Sequence, residues 1–281
     1  MSNYYCTMAG APTIELADAK PGMSVADMRA QLEPELTDAD RRLLGLLFLR
    51  HDAENLVALL KDPEAEVTAD GLYSREEYGQ ILQEASEIDL GASKYPAFLV
   101  DFAHQYPDMQ QQAGFFAEDE MLLRYYQYGI SQSRDSMVRQ WFQLNLDVTN
   151  IMTAMIARKQ GWNASEYVRG EGEVVDMIRT NDSHDFGLGA LLDYTAAIMP
   201  IVDEQDPVEK ERRLDAFKWL WLDEKTFADT FSVEAVFAYL CKLEIQERWA
   251  RLDAEQGRAT FEQIINDLRS EAKVPEEFIR K

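Results

Sequence analysis

The stretch that decides the fold is DAENLVALL at residues 52–60, because its pattern returns as DVTNIMTAM at residues 147–155. The asparagines of the two copies, Asn55 and Asn150, are 95 residues apart (150 − 55). A weaker third copy, SVEAVFAYL at residues 232–240, follows 85 residues later if Ala235 is aligned with Asn150. Each copy in a repeat protein is usually one supersecondary unit that packs on its neighbours. The repeat therefore predicts three related lobes.

Apolar spacing and capping residues predict that these lobes are helical. The clearest seam has apolar residues at alternating steps of four and three, which is the period of a packed α-helix; its members are Met137, Trp141, Leu144, Val148, Ile151 and Met155. Thr37, Ser74 and Ser232 have the side chains that commonly cap helix starts, and Ser74 begins the capping-box pattern Ser-x-x-Glu. Convincing strand alternation is missing, so the predicted fold class is all-α.

Glycine and proline predict where several helices end. Pro107 should end the helix that begins near Pro96, and Gly91 should follow the helix that Ser74 opens. Gly129, with the polar SQS at residues 131–133, is expected to interrupt a helix. The sequence further predicts a helix end at Gly257 and a separate final helix capped near residue 260.

Composition excludes several classes of function. Fifty-one acidic and 28 basic residues give a formal charge of −23, which repels nucleic-acid backbones and anionic membrane surfaces. An acidic surface that promotes solubility and a surface for a basic partner are both consistent with this charge. Cys6 and Cys241 form no disulfide framework, and we find neither a secretory signal nor a long apolar run. The expected location is the cytoplasm.

No motif predicts catalysis, so we assign no catalytic, cofactor-binding or metal-binding residue. The best metal-like cluster is NDSHD at residues 181–185, but that composition is also typical of an ordinary turn. Asp101 and His104 give half of a helical di-metal pattern, and the second half is missing. Cys6 and Cys241 have no histidine nearby in sequence, and the remaining carboxylate pairs carry little information in so acidic a chain.

Two segments of the chain resemble the C-subunit family of V/A-type (vacuolar/archaeal-type) ATPases. The segment LDVTNIMTAMIARKQGWNASEYVRGEGEV at residues 146–174 is similar to the central segment of that family, and it matches at Asp147, Asn150, Ile151, Thr153, Ala157, Lys159, Gly161, Ser165 and Glu166. The segment SVEAVFAYLCKLEIQERWARL at residues 232–252 resembles the family's last lobe, and it matches at Tyr239, Leu240, Glu244, Ile245, Arg248 and Arg251. The whole chain also resembles a bacterial family of unassigned function that is associated with V/A-type ATPase subunits.

This resemblance implies a funnel of three pseudo-threefold helical lobes, at about residues 1–93, 94–185 and 186–281 of a single unit. Such a subunit has no enzymatic activity. It links the membrane rotor ring to the central stalk, transmits torque for ion translocation, and lies at the cytoplasmic face of the inner membrane through its complex. No cofactor is implied.

The chain departs from the pattern of the C-subunit family at several positions. Met152 and Ile156 stand where that family has basic residues, and Trp249 stands where asparagine is usual. The arginine expected soon after Tyr5 is missing.

Two alternatives remain open at this point. One is an unrelated acidic, all-helical adaptor that binds a basic partner. The other is a metal-dependent helical enzyme with its metal at Asp182, His184 and Asp185. In every case we expect the Asp and Asn of the repeats to have a local role, as capping or surface residues of amphipathic helices.

Overall fold

The computed structural model describes residues 4–16, 22–87, 93–112 and 114–271, with side chains described as far as Leu252. All regular structure in these residues is helical, and they contain no strand. The prediction of an all-α fold is therefore confirmed. The longest helices carry the first two copies of the repeat and the C-terminal part of the chain.

The helices follow one another along the chain with short connections. The α-helices are α1 (Tyr5–Gly10), α2 (Val25–Leu32), α3 (Asp38–Lys61), α4 (Arg75–Ala85), α5 (Ala97–Met109), α6 (Ala117–Gln132), α7 (Ser136–Lys159), α8 (Glu173–Thr180), α9 (Thr195–Asp203), α10 (Pro207–Thr226) and α11 (Val233–Glu271). Short 3-10 helices lie at Ala164–Glu166 and Leu188–Ala190.

The predicted caps open the helices. The hydroxyl of Thr37 accepts a hydrogen bond from the N–H of Asp40 at 3.2 Å, which starts α3. At the start of α4, the N–H of Ser74 donates to the carboxylate of Glu77 at 2.9 Å, and the Ser74 hydroxyl accepts from the Glu77 N–H at 3.3 Å. This reciprocal pair satisfies backbone donors that the first helical turn leaves without partners.

Three predicted helix ends are wrong. Pro107 lies inside the last turn of α5, which continues to Met109. Gly129 does not interrupt α6, and the helix ends at Gln132. The chain around Gly257 and residue 260 belongs to the single helix α11, since an interior glycine costs only about 1 kcal/mol and need not end a helix. Gly91 lies outside the described residues.

Gly129 serves close packing between helices. A β-carbon at this position would lie 2.3 Å from the ring of Phe142 on α7, so only glycine lets α6 approach α7 this closely. α6 also packs along α3 and therefore lies between the two helices that carry the repeat. The predicted seam of α7 faces this interior, because each of its residues is buried.

The buried apolar residues form one continuous core that draws on all three thirds of the chain. Besides the pair of α6 with α7, the most extensive contacts join α3 with α6, α4 with α5, and α10 with both α9 and α11. In the part of the chain that the structure describes, no helix combines the length and apolar character needed to cross a membrane.

Candidate functional site

The first copy of the repeat holds a loop against α3. Asn55 donates from Nδ2 to the carbonyl oxygen of Thr68 at 3.0 Å, and its Oδ1 accepts from the N–H of the same residue at 2.9 Å. Asp52 accepts from the N–H groups of Leu72 at 2.9 Å and Tyr73 at 3.1 Å. Asp52 is fully buried and Asn55 is 4% exposed. We call this arrangement the α3 loop clamp.

A tyrosine hydroxyl joins the two side chains of the α3 loop clamp. Tyr78 donates to Asp52 Oδ1 at 2.6 Å, while Asn55 Nδ2 lies 3.0 Å from the same hydroxyl. The clamp also needs a small residue in the loop, because a β-carbon on Gly71 would lie 2.4 Å from Asp52 Oδ1. The result is a closed, buried network that fixes the connection between α3 and α4.

The second copy repeats the asparagine geometry on α7. Asn150 donates from Nδ2 to the carbonyl oxygen of Arg169 at 3.1 Å and accepts at Oδ1 from the Arg169 N–H at 2.8 Å. Asp147 accepts from Gln143 Nε2 at 2.8 Å and from the Tyr194 hydroxyl at 3.1 Å. Asp147 is 4% exposed and Asn150 is 2% exposed. We call this arrangement the α7 loop clamp.

The two clamps correct our expectation about the repeat residues. We expected capping or surface positions, but each Asp and Asn lies in the middle of a long helix and is buried against a loop. Burial raises the pKa of Asp52, an effect that the Tyr78 hydroxyl and the backbone N–H donors oppose. Burial also raises the pKa of Asp147, and its side-chain donors oppose that rise.

The third copy does not form a clamp of this kind. Ser232 instead caps α11, and its hydroxyl accepts from the N–H of Ala235 at 3.2 Å. Further along α11, Tyr239 donates to the carbonyl of Pro12 at 2.9 Å and Gln246 donates to that of Glu15 at 2.6 Å. α11 therefore also binds a loop, the one that precedes α2. It does so through Tyr239 and Gln246, which are not the residues aligned with Asp147 and Asn150.

A central cavity of about 430 Å³ lies between the long helices. α3, α6, α7, α10 and α11 all contribute to its wall, together with α2 and the loop that the α3 clamp holds. Its charged lining residues are Arg29, Arg50, His51, Glu54, Asp70, Asp215, Lys218, Glu244, Glu247, Arg248 and Arg251. In a chain of charge −23, this cavity brings together almost equal numbers of cations and carboxylates.

Ion pairs tie the cavity wall together. Arg248 pairs with Asp215, which is 3% exposed and also accepts from Trp249 Nε1 at 2.7 Å. His51 Nε2 lies 3.2 Å from Glu244 Oε1. Burial works against the imidazolium, but the hydrogen bond to Glu244 and nearby carboxylates outweigh it and raise the pKa of His51. The contact between His51 and Glu244 bridges α3 and α11.

Lys218 differs from the other charged residues of the cavity. It lies one helical turn after Asp215 on α10, yet its ammonium makes no hydrogen bond or ion pair with any described residue. Burial lowers the pKa of Lys218 to about 8, an effect that the charge of Asp215 opposes. Lys218 is half-buried, so its ammonium loses part of its hydration without gaining a partner among the described residues.

Two other residues singled out from the sequence, His104 and Asp185, have structural roles. His104 Nδ1 lies 2.7 Å from the carbonyl oxygen of Ala85, at the end of α4. Asp185 accepts from the N–H of Gly187 at 3.0 Å and of Gly189 at 3.2 Å, and within the turn of residues 181–185 the Ser183 N–H donates to Asn181 Oδ1 at 2.9 Å. Cys241 is buried and Cys6 is exposed.

The metal hypothesis gains no support from this geometry. The described residues contain no group of three or more His, Cys, Asp or Glu side chains placed to hold a metal ion. Asp182, His184 and Asp185 lie close in sequence, but within the described chain they do not make such a group.

Sequence reasoning missed Lys218, Arg50 and Asp215. A signal was present, because Asp215 and Lys218 interrupt an otherwise apolar and aromatic stretch that runs from Leu214 to Leu222. Charged residues in such a stretch face either solvent or a polar cavity, and only the packing of α10 against α11 distinguishes these outcomes.

Comparison with known protein families gives a match over nearly the whole chain. A family model described as a protein of unknown function (DUF2764) matches residues 1–272. No curated protein and no solved structure shows significant similarity to the chain.

Proposed function

We propose a function from one premise: the chain belongs to the family described as a protein of unknown function (DUF2764), whose model covers residues 1–272. The proposed role is that of a non-catalytic coupling component of a V/A-type ATPase or ATP synthase. In this role the protein links the membrane rotor ring to the central stalk and transmits torque for ion translocation. Its partners are the central stalk subunits and the rotor ring, at the cytoplasmic face of the inner membrane.

The observation that carries this proposal is the repeated loop clamp. Asn55 on α3 and Asn150 on α7 each bind both backbone groups of one loop residue, although they are 95 residues apart in sequence (150 − 55). Asp147 and Asn150 also begin the segment that resembles the C-subunit family, and the loop that Asn150 binds contains the glycine-rich step of that resemblance. The resemblance thus includes residues that organise the fold.

We further propose that the fold is a funnel of three pseudo-threefold lobes, at about residues 1–93, 94–185 and 186–281. α3, α7 and α11 are the long helices of the successive thirds, and each binds a loop through buried or half-buried polar side chains. All three helices contribute to the wall of the central cavity. Packed long helices are stiff, which suits an element that transmits torque.

The departures from the pattern of the C-subunit family change the partner surface that we propose. Ile156 is 46% exposed and Trp162, just beyond the end of α7, is 53% exposed, with its ring stacked on that of Tyr167 at 5.3 Å. This end of α7 therefore adds exposed apolar side chains to the basic Arg158 and Lys159 of its last turn, where the resemblance implies further basic residues. Trp249 donates from Nε1 to Asp215, a residue that lines the central cavity.

Affinity purification tests this proposal. A tagged chain, expressed from its own locus, should co-purify with central stalk and rotor-ring subunits after mild detergent extraction of membranes. An Ile156→Lys and Trp162→Ala double variant should keep the fold and reduce recovery of these subunits, whereas a Glu76→Ala control at the exposed start of α4 should not. Absence of both partners from repeated purifications of the wild-type chain would contradict the proposal.

The same experiment distinguishes the rival function. The charge of −23 also favours an adaptor that binds a basic protein. Recovery of one basic partner in constant ratio, with no component of an ATPase, would support the adaptor and exclude the coupling role.

A further inference from the structure

We propose that the central cavity binds a small phosphate-class anion between Lys218 of α10 and Arg50 of α3. This inference does not depend on the coupling function. It rests on the cavity, on the pairing of its charged residues, and on the donors that remain without partners.

The carboxylates of the cavity are all engaged within the protein. Glu54 binds Arg50 Nε at 3.1 Å, Asp70 lies 3.6 Å from Arg251, and Glu247 accepts from the N–H of Val25 at 2.8 Å. Asp215 pairs with Arg248, and Glu244 lies against His51. α10 contributes two charged residues to the cavity, Asp215 and Lys218. Asp215 has a partner, whereas Lys218 has no partner of opposite sign among the described residues.

Arg50 supplies further donors at the same place. Its guanidinium uses Nε for Glu54, while its two terminal nitrogens make no hydrogen bond with any described residue. The positive charges of Arg50 and Arg248 lie close enough to Lys218 to lower its pKa further, against the opposing charges of Asp215 and Glu211. Three cations therefore converge on one region of the cavity.

A bound anion would reduce the repulsion among these cations and accept hydrogen bonds from the ammonium of the half-buried Lys218 and the terminal nitrogens of the exposed Arg50. A guanidinium offers paired N–H donors that fit two phosphate oxygens, and an ammonium adds a point charge. A cavity of about 430 Å³ is large enough for a small ligand. The ring of Trp141 lines the cavity, so its fluorescence can report occupancy.

Isothermal titration calorimetry with inorganic phosphate and with pyrophosphate, at pH 7, tests the site on the full chain. We expect one anion per chain, a rise in melting temperature and a change in tryptophan fluorescence. Lys218→Met should weaken binding about tenfold or more, because a charged hydrogen bond is lost. Lys225→Met, at an exposed lysine of the same helix outside the cavity, should bind as the wild type does.

The stability of Lys218→Met and the pH dependence of anion affinity provide two further tests. Without an anion, Lys218→Met should be at least as stable as the wild type, which shows that lost binding is not lost folding. Wild-type affinity should fall as the pH rises above about 8, where Lys218 loses its proton. No binding at millimolar phosphate or pyrophosphate, binding of citrate alone, or an equal loss in both lysine variants would overturn the proposal.

Discussion

The α3 and α7 loop clamps share one half of their chemistry and differ in the other. In both, an asparagine pairs with the N–H and C=O of a single loop residue, Thr68 or Arg169. The aspartates differ, because Asp52 accepts from backbone N–H groups of the clamped loop, whereas the donors to Asp147 among the described residues are side chains. The asparagine is therefore the common element of the repeat, and the aspartate has a separate role in each copy.

This difference extends to what each clamp connects. The α3 clamp is closed, since Tyr78 at the start of α4 binds both Asp52 and Asn55. The α7 clamp is open, since Asp147 reaches Tyr194, which is 47 residues further along the chain and belongs to the last third. The first clamp fixes a local connection, and the second joins two of the proposed lobes.

Removal of the two aspartates should give the largest contrast. Asp52→Ala leaves two partly buried N–H groups and a buried tyrosine hydroxyl without an acceptor, at about 1–3 kcal/mol for each unsatisfied group, partly offset because a buried carboxylate is also removed. We expect a net loss of about 3–4 kcal/mol on this basis. Asp147→Ala frees only side chains that can turn to other partners or to water, so the expected loss is about 1–2 kcal/mol. Urea unfolding at pH 7 measures both, and equal losses would contradict the distinction.

Replacement of the two asparagines should reveal what the clamps share. Asn55→Ala and Asn150→Ala each leave one backbone N–H and one carbonyl without partners, so both should lose about 2–3 kcal/mol. Aspartate at these positions should not rescue stability, because it has no N–H to donate to the loop carbonyl. Hydrogen exchange at Thr68 and Arg169 should accelerate in the matching variant. A neutral effect at one site would mean that the two asparagines do not play equivalent roles.

The aspartates also predict a dependence of stability on pH. A carboxyl group whose folded pKa is raised holds its proton where the unfolded chain has lost it, so its contribution is fully present below the unfolded value of about 3.9. That contribution is lost as the pH rises through the folded pKa. Asp147→Asn, whose amide can still bind Tyr194 and Gln143, should therefore gain stability relative to the wild type as the pH rises from about 4 to about 7. A constant difference across that range would show that the pKa of Asp147 is not raised.

Changes at the clamped residues themselves should have the smallest effects. The clamps bind the backbone of Thr68 and Arg169, so alanine at either position should cost about 0.5 kcal/mol or less. Thr68 has one additional contact, from its hydroxyl to Asn55 Oδ1 at 3.3 Å, so its loss should be the greater of the two. Thr68→Pro removes the N–H donor and serves as the positive control. Large losses in both alanine variants would indicate that the side chains matter more than the backbone.

The sequence predicted the elements whose signal is periodic. The α7 seam and the caps at Thr37 and Ser74 follow from local spacing, and the structure confirms them. Local spacing does not predict the packing role of Gly129, because that role depends on how closely Phe142 of α7 approaches α6. Local propensity says nothing about that distance.

The candidate site was predicted only in part. The repeat drew attention to Asp52 and Asn55, but the predicted capping or surface role was wrong, because a polar residue in the middle of a helix can face either water or a buried loop. Lys218 required even more information, because its lack of a partner is evident only once α3, α10 and α11 are placed around the cavity.

ATP-driven ion uptake tests the proposed coupling function most directly. Inverted membrane vesicles from cells that lack this chain should hydrolyse ATP in their catalytic heads but accumulate no ions, and the purified wild-type chain should restore uptake. Asn150→Ala should restore it poorly, because its loop is no longer held to α7. Unchanged ATP-driven uptake in the vesicles without this chain would contradict a role in coupling.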